Sequence, residues 1–447
     1  MAIFLEKFKN AKLLGLGGLE GNDFILYQNG KEARRIGGVK VDAAKAFYAG
    51  ANEAFWGPAH EMGEWAIRRD GDLELYDEVN RSMSARILSL MSGEEFAYVH
   101  GNDYHWMRVY PHLRERFTGK LLLASHFAHT PWPRLETVPA ECRSFIDAGI
   151  EGMLHADFCG FHTNRWLSNF VGYVHDGFDG KYRIDESGDL ITIHSPNGHY
   201  SQLVVQPLGL RLGRWELLAT GELNYMKFRG MNLILGVERN DFTKCVQQRF
   251  KAIRLFFQQH PEEIGRTVFF QVAAPTRQDI DAFKTVWQLC EQEEAKLLEE
   301  FSAPDSAPEW VPVYWEKKLG GLPPEELGPL YRLARVLTVN PNMDGLNLVA
   351  KEGPFCWNPQ NPGVLCLSRG AGVWDEIGEH AVELVPSDPQ QMADAIHSAL
   401  HMSLKERQRR STALKHIIRA NPIEDWVDVF YNLSLSKAYQ LRQKLIR

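Results

Sequence analysis

Short apolar runs of strand length, separated by stretches with helical spacing, recur along most of this chain. They lie at 96–99, 121–124, 203–205, 233–237, 268–272, 337–339 and 364–367. Helical patterns fall between them at 246–259 and 392–401, and most clearly at 278–301, where Ile280, Phe283, Trp287, Cys290 and Leu297 follow one face. Strands alternating with helices predict an α/β fold, its parallel sheets covered by helices on both faces. Such sheets bind ligands beyond the carboxyl ends of their strands.

At roughly 100–200 residues per domain, the 447 residues suggest two or three domains, or two large ones. The stretch 173–200 is dense in Gly, Asp, Tyr and His and carries a hairpin signal at Glu186-Ser187-Gly188-Asp189. A break at 211–231 precedes a fresh strand at Leu233. Two doubly wound domains are expected, 1–212 and 213–425, followed by a helical segment over 426–447.

The formal charge of −7 argues against a nucleic-acid binder but allows a local basic site for a small anion. Glu6, Lys7 and Lys9 interrupt any leader-like apolar run. No apolar stretch approaches the ~20 residues of a spanning helix. The six cysteines form no C-x-x-C pair and fall largely in apolar runs, which predicts buried free thiols and no zinc or disulfide framework. The expectation is a cytoplasmic protein whose partners are small molecules, neither nucleic acid nor membrane, and a homo-oligomer is compatible with it.

The most informative stretch runs from Asn340 to Glu352, NPNMDGLNLVAKE. A strand ending at Val339 feeds a loop with Asp344 and Gly345, and a helix starting at Asn347-Leu348-Val349 follows. Backbone N–H groups at a helix start, with the dipole, make an anion site suited to phosphate. Glu352 is expected two turns further on, placed for sugar or ribose hydroxyls. An N-cap aspartate and a solvated glutamate would read the same way.

In LGVERNDFTK, Arg239 and Lys244 follow a buried strand and introduce a helix, and Arg277 closes another strand in Ala274-Pro275-Thr276-Arg277. Cations at strand ends suit a diphosphate leaving group, because they neutralise charge as it departs. The first half adds His100-Gly-Asn-Asp103-Tyr104-His105, then His129-Thr130-Pro131-Trp132-Pro133, then Gly160-Phe161-His162-Thr163. None of these histidines shows H-E-x-x-H spacing, so no metal is expected.

Taken in order, these motifs, with Gln206-Pro-Leu-Gly-Leu and Gly363-Val-Leu-Cys-Leu-Ser368, resemble the trehalose-6-phosphate synthase family over roughly 45–435. The run DGLNLVAKE is the most specific. The resemblance implies a retaining, metal-independent glycosyltransferase of the GT-B type, two Rossmann-like domains facing across a cleft. It implies a nucleotide-diphosphate glucose as co-substrate and no cofactor. Arg239 and Lys244 would bind the donor diphosphate, helped by the backbone of Asn347, Leu348 and Val349. Glu352 would hold the ribose, and Asp344 and His129 the glucose. Asp103, Tyr48, Trp56 and Arg277 would face the acceptor, so that Asp103, His129, Arg239 and Lys244 form the catalytic set.

Against the family pattern, the first strand and its glycine loop are expected to be missing or rebuilt. Gly15 and Gly17-Gly18 are the glycines that would have to serve. Cys245 stands where the family has glycine, and Ser368-Arg-Gly-Ala-Gly372 replaces Ser-Glu-Phe-Ala-Gly. Three functions fit: transfer to glucose 6-phosphate, giving trehalose 6-phosphate; transfer to glycerol 3-phosphate, giving glucosylglycerol phosphate; or a catalytically silent relative that binds sugar nucleotides.

Overall fold

The computed structural model describes residues 13–16, 24–28, 31–36, 41–92, 96–119, 121–188, 190–222, 228 and 230–426. The chain divides into two units, 1–207 with 424–447, and 208–423. Among the described residues no helix is long and apolar enough to cross a membrane.

The first unit carries strands β1 (Leu13–Leu16), β2 (Phe24–Gln28) and β3 (Lys31–Ile36), which form a sheet of their own with β3 central. β3 is parallel to β1 and antiparallel to β2. Gly15 therefore lies inside a strand rather than in a loop, and Gly17 and Gly18 lie outside the described residues.

The main sheet of this unit has the order β4-β5-β6-β9-β8-β7. Its strands are β4 (Phe96–Asn102), β5 (Leu121–Ala128), β6 (Phe158–Phe161), β7 (Arg183–Asp185), β8 (Thr192–His194) and β9 (Tyr200–Val205). β4, β5, β6 and β9 run parallel, and β7 and β8 form the antiparallel hairpin expected from the turn residues. Helices α1 (Val41–Ala51), α2 (Asp72–Met91), α3 (Val109–Arg116), α4 (Ala140–Met153) and α5 (Asn164–Gly177) complete it.

The second unit is a six-stranded, wholly parallel sheet of order β12-β11-β10-β13-β14-β15. The strands are β10 (Asn232–Asn240), β11 (Thr267–Pro275), β12 (Val313–Glu316), β13 (Val336–Val339), β14 (Val364–Ser368) and β15 (Val382–Leu384). Leu233, Leu235 and Val237 share one core with Val268, Phe270, Val272, Leu337 and Leu365, while the alternate residues Ile234 and Phe269 are buried on the other face. Burial on both faces is why these strands read as unbroken apolar runs. Helices α6 (Leu212–Ala219), α7 (Val246–Gln259), α8 (Asp281–Glu300), α9 (Pro324–Leu333), α10 (Val349–Cys356), α11 (Pro389–Leu400) and α12 (Leu404–Arg419) pack around the sheet.

The division between units falls at 207/208 rather than 212/213, and a second crossing falls at 423/424. Two backbone contacts explain the shift: Leu210 bridges Pro422, and Ile423 N donates to Leu210 O at 3.0 Å. Trp426 belongs to the first unit, where its indole N–H donates to Gln206 O at 3.1 Å and its ring packs edge-on against Phe127. The rest of the expected closing helix, 427–447, lies outside the described residues. All six cysteines are free and buried, as their apolar settings predict.

Candidate active site

The second unit gathers its polar residues at the carboxyl ends of three adjacent strands, β11, β10 and β13. β10 runs three residues further than the apolar pattern suggests. Arg239 is therefore its penultimate residue, in register with Ala274, and its side chain is exposed. Asp241 then turns the chain, its Oδ1 accepting from Thr243 N and Thr243 Oγ1 at 3.0 Å each. Lys244 ends this turn, and Cys245 takes φ 52° before α7 begins. A left-handed φ costs a non-glycine residue roughly 1–2 kcal/mol, so Cys245 holds a conformation that glycine takes without that cost.

Lys244 forms an ion pair with Asp344 from the loop after β13, both side chains at least 86% buried from their exposures of 10% and 14%. Asp344 also accepts from Asn347 Nδ2 at 3.0 Å, and its backbone pairs with Gly370 and Gly372 after β14. Gly370 has to be glycine, because a Cβ there would stand 1.7 Å from Asn342 O.

The helix after this loop starts at Val349, not Asn347, which has φ 76° and whose side chain caps Ala350 N at 3.3 Å. Asp344 is therefore not the N-cap, and Glu352 lies in the first turn of α10 rather than two turns along it. Tyr331 of α9 donates to Glu352 Oε2 at 3.1 Å, and burial pushes the Glu352 carboxyl up to about 7. Arg277 takes φ 50° and is almost fully buried, 3.6 Å from Asp241 Oδ2, with its guanidinium over the Phe283 ring.

A buried guanidinium that the motifs do not mark holds these loops together. Arg249 of α7 is fully buried and gives hydrogen bonds to Asn340 Oδ1 at 2.6 Å and Gln271 Oε1 at 2.8 Å, with an ion pair to Glu238. It thereby joins β10, β11 and the end of β13. Asn340 Nδ2 in turn donates to Cys245 O at 3.0 Å, next to Lys244. Gly236 makes the room: a Cβ there would lie 2.4 Å from Arg249 Nη1.

In the first unit, Tyr48, Trp56 and Asp103 belong to two segments that pack on one another. After α1 the helix opens into a π turn, Asn52–Trp56, a form found mostly as single turns and often at functional sites. Asn52 Nδ2 donates to Tyr48 O at 2.6 Å, and Asn52 Oδ1 accepts from the Tyr104 hydroxyl at 2.6 Å. Tyr48 is 42% exposed and stacks on His105. Trp56 is buried against His60 and Tyr104. Asp103 begins the turn after β4 with φ 65°, held by its N–H to Phe127 O at 2.8 Å.

His129 follows β5. Its Nε2 lies 3.0 Å from Asn102 Oδ1 and its Nδ1 3.2 Å from His162 Nε2. Asn102 Oδ1 is also 3.2 Å from His100 Nε2. A carbonyl oxygen only accepts, so both imidazoles carry a proton on Nε2 and leave Nδ1 as an acceptor, towards Ser125 Oγ from His100 and towards His162 from His129. Burial lowers His129 to about 4, and His100 and His126 to about 3. All three are neutral at physiological pH.

The sequence matches known proteins along most of its length. The model of Glycosyltransferase family 20 matches residues 38–434. The bifunctional trehalose-6-phosphate synthase/phosphatase of Thermoproteus tenax is 29% identical over 412 residues, 90% of this chain and 53% of that protein. The chain thus spans about half the length of that relative. The alpha,alpha-trehalose-phosphate synthase (UDP-forming) of Burkholderia vietnamiensis superposes with a TM-score of 0.86 at 26% identity, covering 98% of this chain and 97% of its own. The Burkholderia xenovorans enzyme in complex with glucose-6-phosphate gives a TM-score of 0.84 at 26% identity, over 96% and 95%.

Two Rossmann-like units, one of them with a cation–carboxylate pair at its strand ends, make this an α/β glycosyltransferase of the GT-B type. More narrowly, the chain belongs to glycosyltransferase family 20.

Proposed function

We propose that the chain transfers glucose, with retention, from UDP-glucose to glucose 6-phosphate, forming trehalose 6-phosphate. The observation that carries this reading is the buried Lys244–Asp344 pair at the carboxyl edge of a parallel sheet, in a chain similar to UDP-forming synthases. Lys244 with Arg239 neutralises the diphosphate as its bond to the sugar breaks. The backbone N–H groups of Asn347, Leu348 and Val349, at the start of α10, would bind the same anion. Asp344, held by Lys244 and Asn347, takes hydroxyls of the transferred glucose, and Glu352 takes those of the ribose.

The acceptor hydroxyl attacks the anomeric carbon on the face that the diphosphate leaves, and its proton passes to the departing phosphate oxygen. Positioning and electrostatic stabilisation supply the rate. Tyr48 and Asp103 recognise the acceptor sugar, and His129, a neutral imidazole, acts as a hydrogen-bonding group towards the glucose. No metal ion takes part.

The test is a panel of UDP-, GDP- and ADP-glucose against glucose 6-phosphate and glycerol 3-phosphate, read by product mass, with and without EDTA. Trehalose 6-phosphate from UDP-glucose, formed equally in EDTA, is expected. Glucosylglycerol phosphate would move the acceptor assignment, and no nucleotide release from any pair would remove the enzyme reading.

A further inference from the structure

We infer that the ends of α7 and α11 form a binding site for one divalent transition-metal ion of the zinc type. His260 follows the last turn of α7, and Glu262 lies two residues on; His397 sits in the last turn of α11 and His401 caps it. One ligand atom from each of His260, Glu262 and His397 lies within 4.8 Å of the others.

The surroundings support the assignment. His397 and His401 are four residues apart on one helical face, their ring centroids 4.5 Å apart, the spacing at which a helix offers two imidazoles to one ion. His401 Nε2 lies 3.0 Å from Oε1 of Glu263, whose other oxygen takes the Thr267 hydroxyl. A buried carboxylate that orients an imidazole is the usual outer partner of a metal-bound histidine. Imidazoles with a carboxylate favour zinc, cobalt, nickel or copper over magnesium and calcium.

A tetrahedral ion with bonds of about 2 Å sets its ligand atoms about 3.3 Å apart. The side chains must therefore close by roughly 1.5 Å, a rotation open to groups at helix ends. The same rotation splays the His260 and His397 rings, which otherwise stack at 3.6 Å and 4°. The ion would fasten α7 to α11, already joined by Gln259 Nε2 donating to Gln390 Oε1 at 2.7 Å. α7 separates this cluster from Lys244 by about 20 Å of helix, so the ion stabilises the unit without entering the reaction.

The test uses the untagged full chain, stripped with chelator, dialysed, and titrated with Zn²⁺ against a chromophoric competitor, with Co²⁺ as a spectroscopic probe. One tight equivalent is expected, with the intense visible absorption of four-coordinate Co²⁺ and a thermal midpoint that rises with Zn²⁺. In His260→Ala/His397→Ala the equivalent and the rise disappear, while the far-UV circular dichroism is unchanged. Should that variant fail to fold, Glu262→Gln with His401→Gln, both at the surface, should weaken zinc binding by at least about tenfold. Wild-type protein without a tight equivalent, or a folded variant that keeps it at unchanged affinity, would overturn the site.

Discussion

Tyr331 donates its hydroxyl hydrogen bond to Glu352 Oε2 at 3.1 Å, joining the buried face of α9 to the first turn of α10. Burial nevertheless dominates and lifts the Glu352 carboxyl to about 7, with the Tyr331 hydrogen bond and the Arg214 charge acting against it. The folded value lies above the unfolded one, so the stability linked to this group is complete below about pH 4.5 and lost as pH rises through about 7. Glu352→Gln should raise stability at pH 8 by on the order of 2 kcal/mol and change it little at pH 5. Thermal unfolding at the two pH values measures this, and an equal effect at both would contradict the assignment.

Lys244 and Asp344 are most of the way to full burial, so removing one leaves the other charge without its partner. Lys244→Ala should lower kcat by at least about 100-fold and cost roughly 3–5 kcal/mol of stability. Lys244→Met/Asp344→Leu should regain much of the stability and none of the turnover. Denaturant melts and steady-state kinetics on the same preparations separate the two effects.

His100, His126 and His129 are buried and held neutral, with values depressed to about 3, 3 and 4. Between the ordinary histidine range and these values the unfolded chain binds more protons than the folded one. Stability should therefore fall steadily as pH drops from about 6.5 to 4, and the transfer rate should show no His129 titration near neutrality. A rate profile with a break at 6.5 that disappears in His129→Asn would show the imidazole to be solvated instead.

Asn52 sits in the π turn with one amide group on Tyr48 O and the other on the Tyr104 hydroxyl. Asn52→Ala leaves a buried hydroxyl without its acceptor, a loss of about 1–3 kcal/mol. Because the pair joins Tyr48 to the segment beside Asp103, the KM for the phosphorylated acceptor should rise several-fold while the donor KM stays constant. Equal changes in both would point to a general loss of folding.

Much of the site was legible because chemistry and strand ends coincide in the sequence. Asp344, Lys244 and Arg277 stand where apolar runs stop, and the topology makes those runs neighbours in the order β11-β10-β13. Arg249 and Tyr331 were not marked, because each lies within a helix where its residue type carries no local signal, and Asn102 and Asn52 lay in marked segments but were given no role. The four-residue spacing of His397 and His401 was visible, but the partners His260 and Glu262 are more than a hundred residues away in the chain. Trp56, expected to face the acceptor, is buried against His60 and Tyr104.

By itself the sequence determined the alternation of strands and helices, the parallel sheets, and the charged residues that close their strands. Those follow from local periodicity and from burial on both faces of a sheet, which short windows record. Only the tertiary structure decided that Lys244 pairs with Asp344, a hundred residues on, that Cys245 and Asn347 take left-handed backbone, and that the unit boundary moves back to residue 207. Each depends on contacts between segments distant in the chain, and no window of sequence contains both partners.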